Sequence, residues 1–161
     1  MRFKFTILYF LFFILVNSQD SKKITEMFFY DFDIEVPTPA FNKKKGFTKY
    51  DEMIAYLENL KANFPEKISI KYNGYSQKGK EIPMVFLGNQ TTPMIKACYM
   101  GGLHGNEPAS SEGMLLLINN LLKVDSIKKI LDKVNLAIIP MANIDGYEKQ
   151  SRYANNGQDL N

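Results

Sequence analysis

Apolar and polar positions fall into regular runs from about Phe47 onward. Between Thr48 and Pro65 the apolar residues Tyr50, Met53, Ile54, Leu57 and Leu60 recur at helical spacing and so lie on one face. Thr48 reads as the N-cap of this helix, with Asp51 and Glu52 in its first turn and Pro65 as its stop. Ile68 to Tyr72 alternates as a half-buried strand does, turn signals follow at Asn73-Gly74 and Lys78-Gly79, and Ile82 to Leu87 forms a second strand before Gly88-Asn89. Ile95 to Met100 is a third, nearly continuous apolar strand. Ser110 to Leu122 repeats as a helix, Ser126 to Asp132 as a short one, and Val134 to Ile139 is a fourth strand ending at Pro140.

This order predicts an α/β fold. The near-continuous apolar character of the third and fourth strands points to a mixed sheet of about four strands with helices on both faces. Cys98, the single cysteine, lies inside the third strand and is expected to be a buried core thiol rather than a ligand.

The first residues have another texture. Met1-Arg2-Phe3-Lys4 is basic, Phe5 to Val16 is an apolar run shorter than the roughly 20 residues of a membrane span, and Asn17-Ser18 offers a small residue at the exit. Residues 1–18 are therefore expected to be a signal peptide, and the protein secreted, with no stable membrane span. Residues 19–46 form an N-terminal arm or a short propeptide: an aromatic and acidic stretch from Met27 to Val36, then Pro37-Thr38-Pro39 and the charge run Lys43-Lys44-Lys45-Gly46. Asn89-Gln90-Thr91 is an N-glycosylation acceptor, which agrees with export. The net charge of +3 over 161 residues comes without a basic stripe interleaved with aromatics, which excludes nucleic acid as a partner.

The candidate chemistry sits in Gly101-Gly102-Leu103-His104-Gly105-Asn106-Glu107-Pro108, between the third strand and the second helix. Ligands of open α/β sheets bind at such strand exits. His104 is the only histidine, and Glu107 follows three positions later; an imidazole nitrogen and a carboxylate oxygen at that spacing can converge on one Zn2+ at about 2 Å. Taken alone the match is weak, and the pair reads first as a satisfied loop histidine beside a glutamate; the setting changes that.

Beyond the fourth strand the chain turns polar, with Asn143-Ile144-Asp145-Gly146, then Arg152, then Asp159-Leu160-Asn161. Each is a good turn by itself. In order behind Ser76-x-x-Gly79-Lys80-Glu81-Ile82 and His104-x-x-Glu107, the series resembles the zinc metallocarboxypeptidases, whose marks are S-x-x-G-R-x-I, H-x-x-E, N-P-D-G and D-x-N-R. The resemblance runs from about Phe47 to Asn161 and is nearer to the regulatory and bacterial-type branches than to the digestive one. It implies one Zn2+ per complete domain, peptide or protein C-termini as substrates, and hydrolysis of the last peptide bond. His104 and Glu107 would be two of three zinc ligands, and Asp159 the carboxylate that takes the other N–H of the histidine. Arg152 would polarise the scissile carbonyl and help hold substrate, Asn161 would hold the substrate carboxylate, and Lys80 would contact substrate.

Two departures are local: Lys80 replaces an arginine and Ile144 a proline. The third zinc histidine and the catalytic glutamate of the family have no counterpart. Residues 47–161 are therefore expected to be the N-terminal half of a carboxypeptidase catalytic domain, incomplete and inactive as a separate chain. Two alternatives remain open at this point. One is the aspartoacylase and succinylglutamate desuccinylase branch, which shares the Gly-x-His-Gly-Asn-Glu loop and hydrolyses N-acyl amino acids. The other is a secreted, non-catalytic relic that binds peptides.

Overall fold

The structure, a computed structural model, describes residues 37–88 and 95–160. The chain divides into two units, 1–33 and 34–161, and the described residues belong to the second. The expected signal peptide, most of the 19–46 segment, Asn89 and Asn161 lie outside the described residues.

Helix α1 (Tyr50–Asn63) leads into strands β1 (Ile68–Tyr75), β2 (Glu81–Leu87) and β3 (Ile95–Met100). Helix α2 (Pro108–Lys123) follows, then the single turn α3 (Asp125–Lys128), a 3-10 turn (Lys129–Asp132), strand β4 (Val134–Ile139) and the short helix α4 (Ile144–Glu148). The strand order is β1-β2-β4-β3, antiparallel except for the parallel pair β3 and β4, which α2 connects as a crossover must. The fold is thus the expected mixed α/β sheet with helices.

Register places Ile68, Val85, Leu87, Leu136 and Ile138 on one face. There they join Met53, Leu57 and Leu60 of α1 and Leu115, Ile118, Leu121 and Leu122 of α2 in one buried cluster. Burial of such side chains stabilises by about 1.5–3 kcal/mol each, so this shared face holds both helices to the sheet. On β4 the residues of the opposite face, Asn135, Ala137 and Ile139, are also buried or half-buried.

Strand β3 differs. Among the described strands it is an edge, and Ile95, Cys98, Tyr99 and Met100 are exposed. Cys98 is therefore not the buried thiol expected. The apolar run gave the strand correctly, but burial depends on a neighbour along the free edge and on cover for its faces, and no periodicity reports either.

The start of α1 also departs from expectation. Lys49, not Thr48, is the N-cap, and the Glu52 carboxylate reaches back to accept from the Lys49 amide at 2.7 Å. Thr48 is instead fully buried, and both its amide and its hydroxyl donate to the buried Glu112 carboxylate of α2, at 2.6 and 2.8 Å. Asn73-Gly74 is not a reversal either. It lies within β1 at an irregularity of the β1–β2 register, and the chain turns at residues 76–80.

Candidate active site

Past the ends of β3 and β4 the two segments remain bonded. The Gly101 amide donates to Ile139 O at 2.8 Å, and the amides of Ala142 and Asn143 donate to Gly101 O and Gly102 O, both at 2.9 Å. The loop that follows β3 is thus laid against Met141–Asn143. Ser110 closes it from the helix side, its Oγ donating to Glu107 O at 2.9 Å and accepting the Gly102 amide at 2.9 Å. Gly102 has φ of +62°, which few other residues adopt without strain. Gly105 answers to space: a Cβ there would lie 2.0 Å from the carbonyl carbon of Gly146. The histidine loop and the Asn-x-Asp-Gly segment are therefore in backbone contact.

This frame brings four of the expected residues together. His104 Nδ1 lies 3.2 Å from Glu107 Oε1 and 3.2 Å from Arg152 Nη1, and the same guanidinium nitrogen lies 3.5 Å from Glu107 Oε1. On the other side of the ring, the buried His104 Nε2 has Asp159 Oδ1 at 3.3 Å without hydrogen-bond alignment. Asp159 Oδ2 accepts from Arg152 Nε at 2.7 Å. This bond, ahead of the charge of the same carboxylate, raises the Arg152 pKa further and keeps the guanidinium charged. Because a guanidinium only donates, the Arg152 contact assigns a lone pair to Nδ1 and leaves the ring N–H on Nε2, which lies 3.3 Å from Asp159 Oδ1. The His104 side chain is 10 % exposed and that of Glu107 58 %, so the acceptor pair opens to solvent while the imidazole is held in the protein.

The geometry can be tested against a zinc ion. Two ligand atoms about 2.05 Å from a tetrahedral centre stand about 3.3 Å apart; Nδ1 and Oε1 stand 3.2 Å apart. Two acceptors at that distance repel unless a cation lies near both; Arg152 Nη1, 3.2 and 3.5 Å from them, fills that role here, and the spacing also fits a metal ion. Among the described residues no third histidine, cysteine or acidic group joins them.

Lys80 is placed elsewhere. Its ammonium is ion-paired with Glu148 and stacked over the Tyr50 ring at 4.6 Å, and the Glu148 bond raises its pKa. Its turn instead holds the segment before Arg152. The buried Asp145 carboxylate accepts from Ser76 Oγ at 2.9 Å and from the Lys78 amide at 3.0 Å, and Ser76 Oγ accepts the Lys80 amide at 3.1 Å. Asn143 Oδ1 accepts the Gly146 amide at 3.0 Å, and Asn143–Gly146 opens a short helix rather than a bare turn. Asp145, Glu112 and Gly105 were not singled out by sequence. The residues stood in the quoted motifs or beside them, but their partners are 67–69, 64 and about 40 residues away.

The fold and site together define a class: a mixed α/β sheet carrying a histidine, two carboxylates and an arginine at the exit of a parallel strand pair. The zinc carboxypeptidase family matches residues 53–161, and the chain belongs to it. Carboxypeptidase SOL1 of Arabidopsis thaliana is 31% identical over 140 residues, which cover 79% of this chain and 27% of that protein. A probable carboxypeptidase 2 of Trichophyton verrucosum is 30% identical over 126 residues, 73% of this chain and 24% of that one. The chain thus spans about a quarter of the length of these relatives. Among solved structures, the carboxypeptidase A of Helicoverpa armigera superposes with a TM-score of 0.64 at 21% identity, covering 71% of this chain and 32% of that one. The family is one of hydrolytic metallopeptidases acting on peptide C-termini.

Proposed function

We propose that this chain carries the N-terminal part of a zinc-dependent carboxypeptidase site, exported from the cell, that removes the last residue of peptides or proteins. The observation that supports this most directly is the convergence of His104 Nδ1 and Glu107 Oε1 at 3.2 Å, at the exit of β3. These two atoms would hold the ion. When bound, zinc acidifies a water molecule and polarises the scissile carbonyl. Asp159 Oδ1, 3.3 Å from Nε2, would accept a hydrogen bond from Nε2–H once the two align, favouring the tautomer that presents Nδ1 to the metal. Arg152, always charged and tied to Asp159 through Nε, has Nη1 directed to the same place, where it stabilises negative charge developing on the carbonyl oxygen. Asn161 is assigned the substrate carboxylate by its place in the motif. Lys80, already paired with Glu148, is assigned to holding its turn rather than to substrate.

His104 is the only histidine of the 161 residues, so a second imidazole ligand has to come from outside them. We infer that these residues alone bind zinc weakly and do not hydrolyse peptides. Loss of a residue that merely supports a ligand lowers metal affinity or activity about 10–100-fold, and loss of a general acid–base group costs about 10²–10⁴-fold in rate. The test is calorimetric titration of Zn2+ into the chain and into His104→Ala and Glu107→Gln, with release of C-terminal amino acids from blocked dipeptides assayed in parallel. Weak binding in the parent and none in either variant is expected, without turnover. Chelator-sensitive turnover by the 161 residues would overturn the inactivity assignment, and zinc binding unaffected by His104→Ala would overturn the metal site. The same assay with N-acyl amino acids separates the desuccinylase-like reading, and binding of blocked peptides without zinc separates the non-catalytic one.

A further inference from the structure

The turn between β1 and β2 is tied to the site at three points, and Asp145 is the central one. The residue is 3% exposed, and its carboxylate accepts from Ser76 Oγ and the Lys78 amide. On either side of it, Lys80 pairs with Glu148, and Gln77 Oε1 accepts the Asn156 amide at 2.8 Å. The residue after Asp145 has two contacts that lead directly to the reactive groups. Gly146 is packed against Gly105, the neighbour of His104, and Gly146 O accepts the Ser151 amide, next to Arg152, at 2.9 Å. A displacement of Asp145 is therefore carried to both partners of the His104–Arg152 contact.

We propose that Asp145 is a positioning residue: by anchoring α4 to the Ser76–Lys80 turn it sets the approach of Arg152 to His104 Nδ1. This rests on the carboxypeptidase reading only in giving that contact a purpose. A carboxylate suits this place because it accepts from both groups at once and leaves Ser76 Oγ free to accept the Lys80 amide. Asparagine matches the shape, but with its Oδ1 on the Lys78 amide its NH2 turns the Ser76 hydroxyl from donor to acceptor, and the Ser76 O–H then has to find another partner. A buried donor left without an acceptor is more costly than a missing bond, and relieving it displaces α4. This accounts for the joint presence of Ser76-x-x-Gly79 and Asn143-x-Asp145-Gly146 in one chain, since the two motifs are halves of one hydrogen-bonded unit.

The single histidine makes the test clean. In metal-free, ¹⁵N-labelled chain at about pH 8, above the ordinary histidine pKa, the ring nitrogen resonances report the tautomer and the partner of Nδ1 without overlap. Arg152→Ala defines the spectrum of a ring that has lost the guanidinium. Asp145→Asn and Ser76→Ala should both move the His104 Nδ1 resonance toward that spectrum, and Lys61→Ala, which loses only an exposed ion pair with Glu58, should leave it unmoved. Ser76→Ala removes one hydroxyl and keeps the Lys78 bond, so it remains informative where Asp145→Asn lowers folding yield. Wild-type ring resonances in either variant, with a folded amide spectrum, would overturn the proposal and reduce Asp145 to a contributor to stability. Addition of Zn2+ to the unmutated chain tests the metal reading separately, because a shift of Nδ1 on metal binding does not depend on the outcome for Asp145.

Discussion

Gly105 and Gly146 meet backbone to backbone: a Cβ on Gly105 would lie 2.0 Å from Gly146 C and 2.2 Å from the amide nitrogen of Tyr147. The atoms in the way are main chain and cannot swing aside. Gly105→Ala must therefore push the histidine loop off α4. We expect it to destabilise the chain by at least about 3 kcal/mol, the upper range of core overpacking, and to abolish the Nδ1 shift on zinc addition. Urea unfolding and the His104 resonance check the two effects. Gly113→Ala, with open space at its Cβ and a helical position, is the matched control and should be neutral or stabilising by up to about 1 kcal/mol.

Glu112 is a buried carboxylate that accepts two hydrogen bonds from Thr48. Thr48→Val removes the hydroxyl donor and leaves the amide, and it should cost about 1.5–3 kcal/mol, the range for a hydrogen bond to a charged group. Glu112→Ala should cost at least as much. Both single changes break one unit, so the double variant should be less destabilised than the sum. A double-mutant cycle measured by urea unfolding checks this, and strict additivity would show that Glu112 finds other partners.

Tyr56 is half-buried, and its hydroxyl has no hydrogen-bond partner among the described residues. Burial raises its pKa to about 12 from the ordinary 10.0. The neutral form is thus favoured in the folded state, so the contribution is fully present below pH 10 and is lost as pH rises toward 12. Tyr56→Phe should equal or exceed the parent in stability at neutral pH, by up to about 1 kcal/mol, and should lose less stability between pH 10 and 12. Thermal unfolding across that window measures both.

Cys98 is exposed on an edge strand. It should react with a thiol reagent in the folded chain at a rate close to that in urea, and Cys98→Ser should change stability by less than about 0.5 kcal/mol. The same edge exposes Ile95, Tyr99 and Met100, and such edges pair with other chains. Tyr99→Lys should reduce light scattering of concentrated solutions. Protection of Cys98 without denaturant would mean that another surface covers β3 in solution.

Period and composition determined the elements, because amphipathic helices and apolar strands are written locally: α1, α2 and all four strands follow from spacing within a dozen or so residues. Motif order was enough to indicate the family and to single out His104, Glu107, Arg152 and Asp159. Spacing could place His104 and Glu107 near each other, since they share one turn, but it could not bring Arg152 and Asp159 to opposite sides of the imidazole, which depends on how residues 144–159 fold back over the loop. Lys80 shows the same limit. Its place in a motif suggested substrate, whereas its ammonium pairs with Glu148, 68 residues on. Burial of Thr48 by Glu112 and exposure of Cys98 were likewise settled by which surfaces meet. Whether a polar group is capped, paired or solvated is decided by partners far along the chain, and only the tertiary structure brings those partners within hydrogen-bond reach.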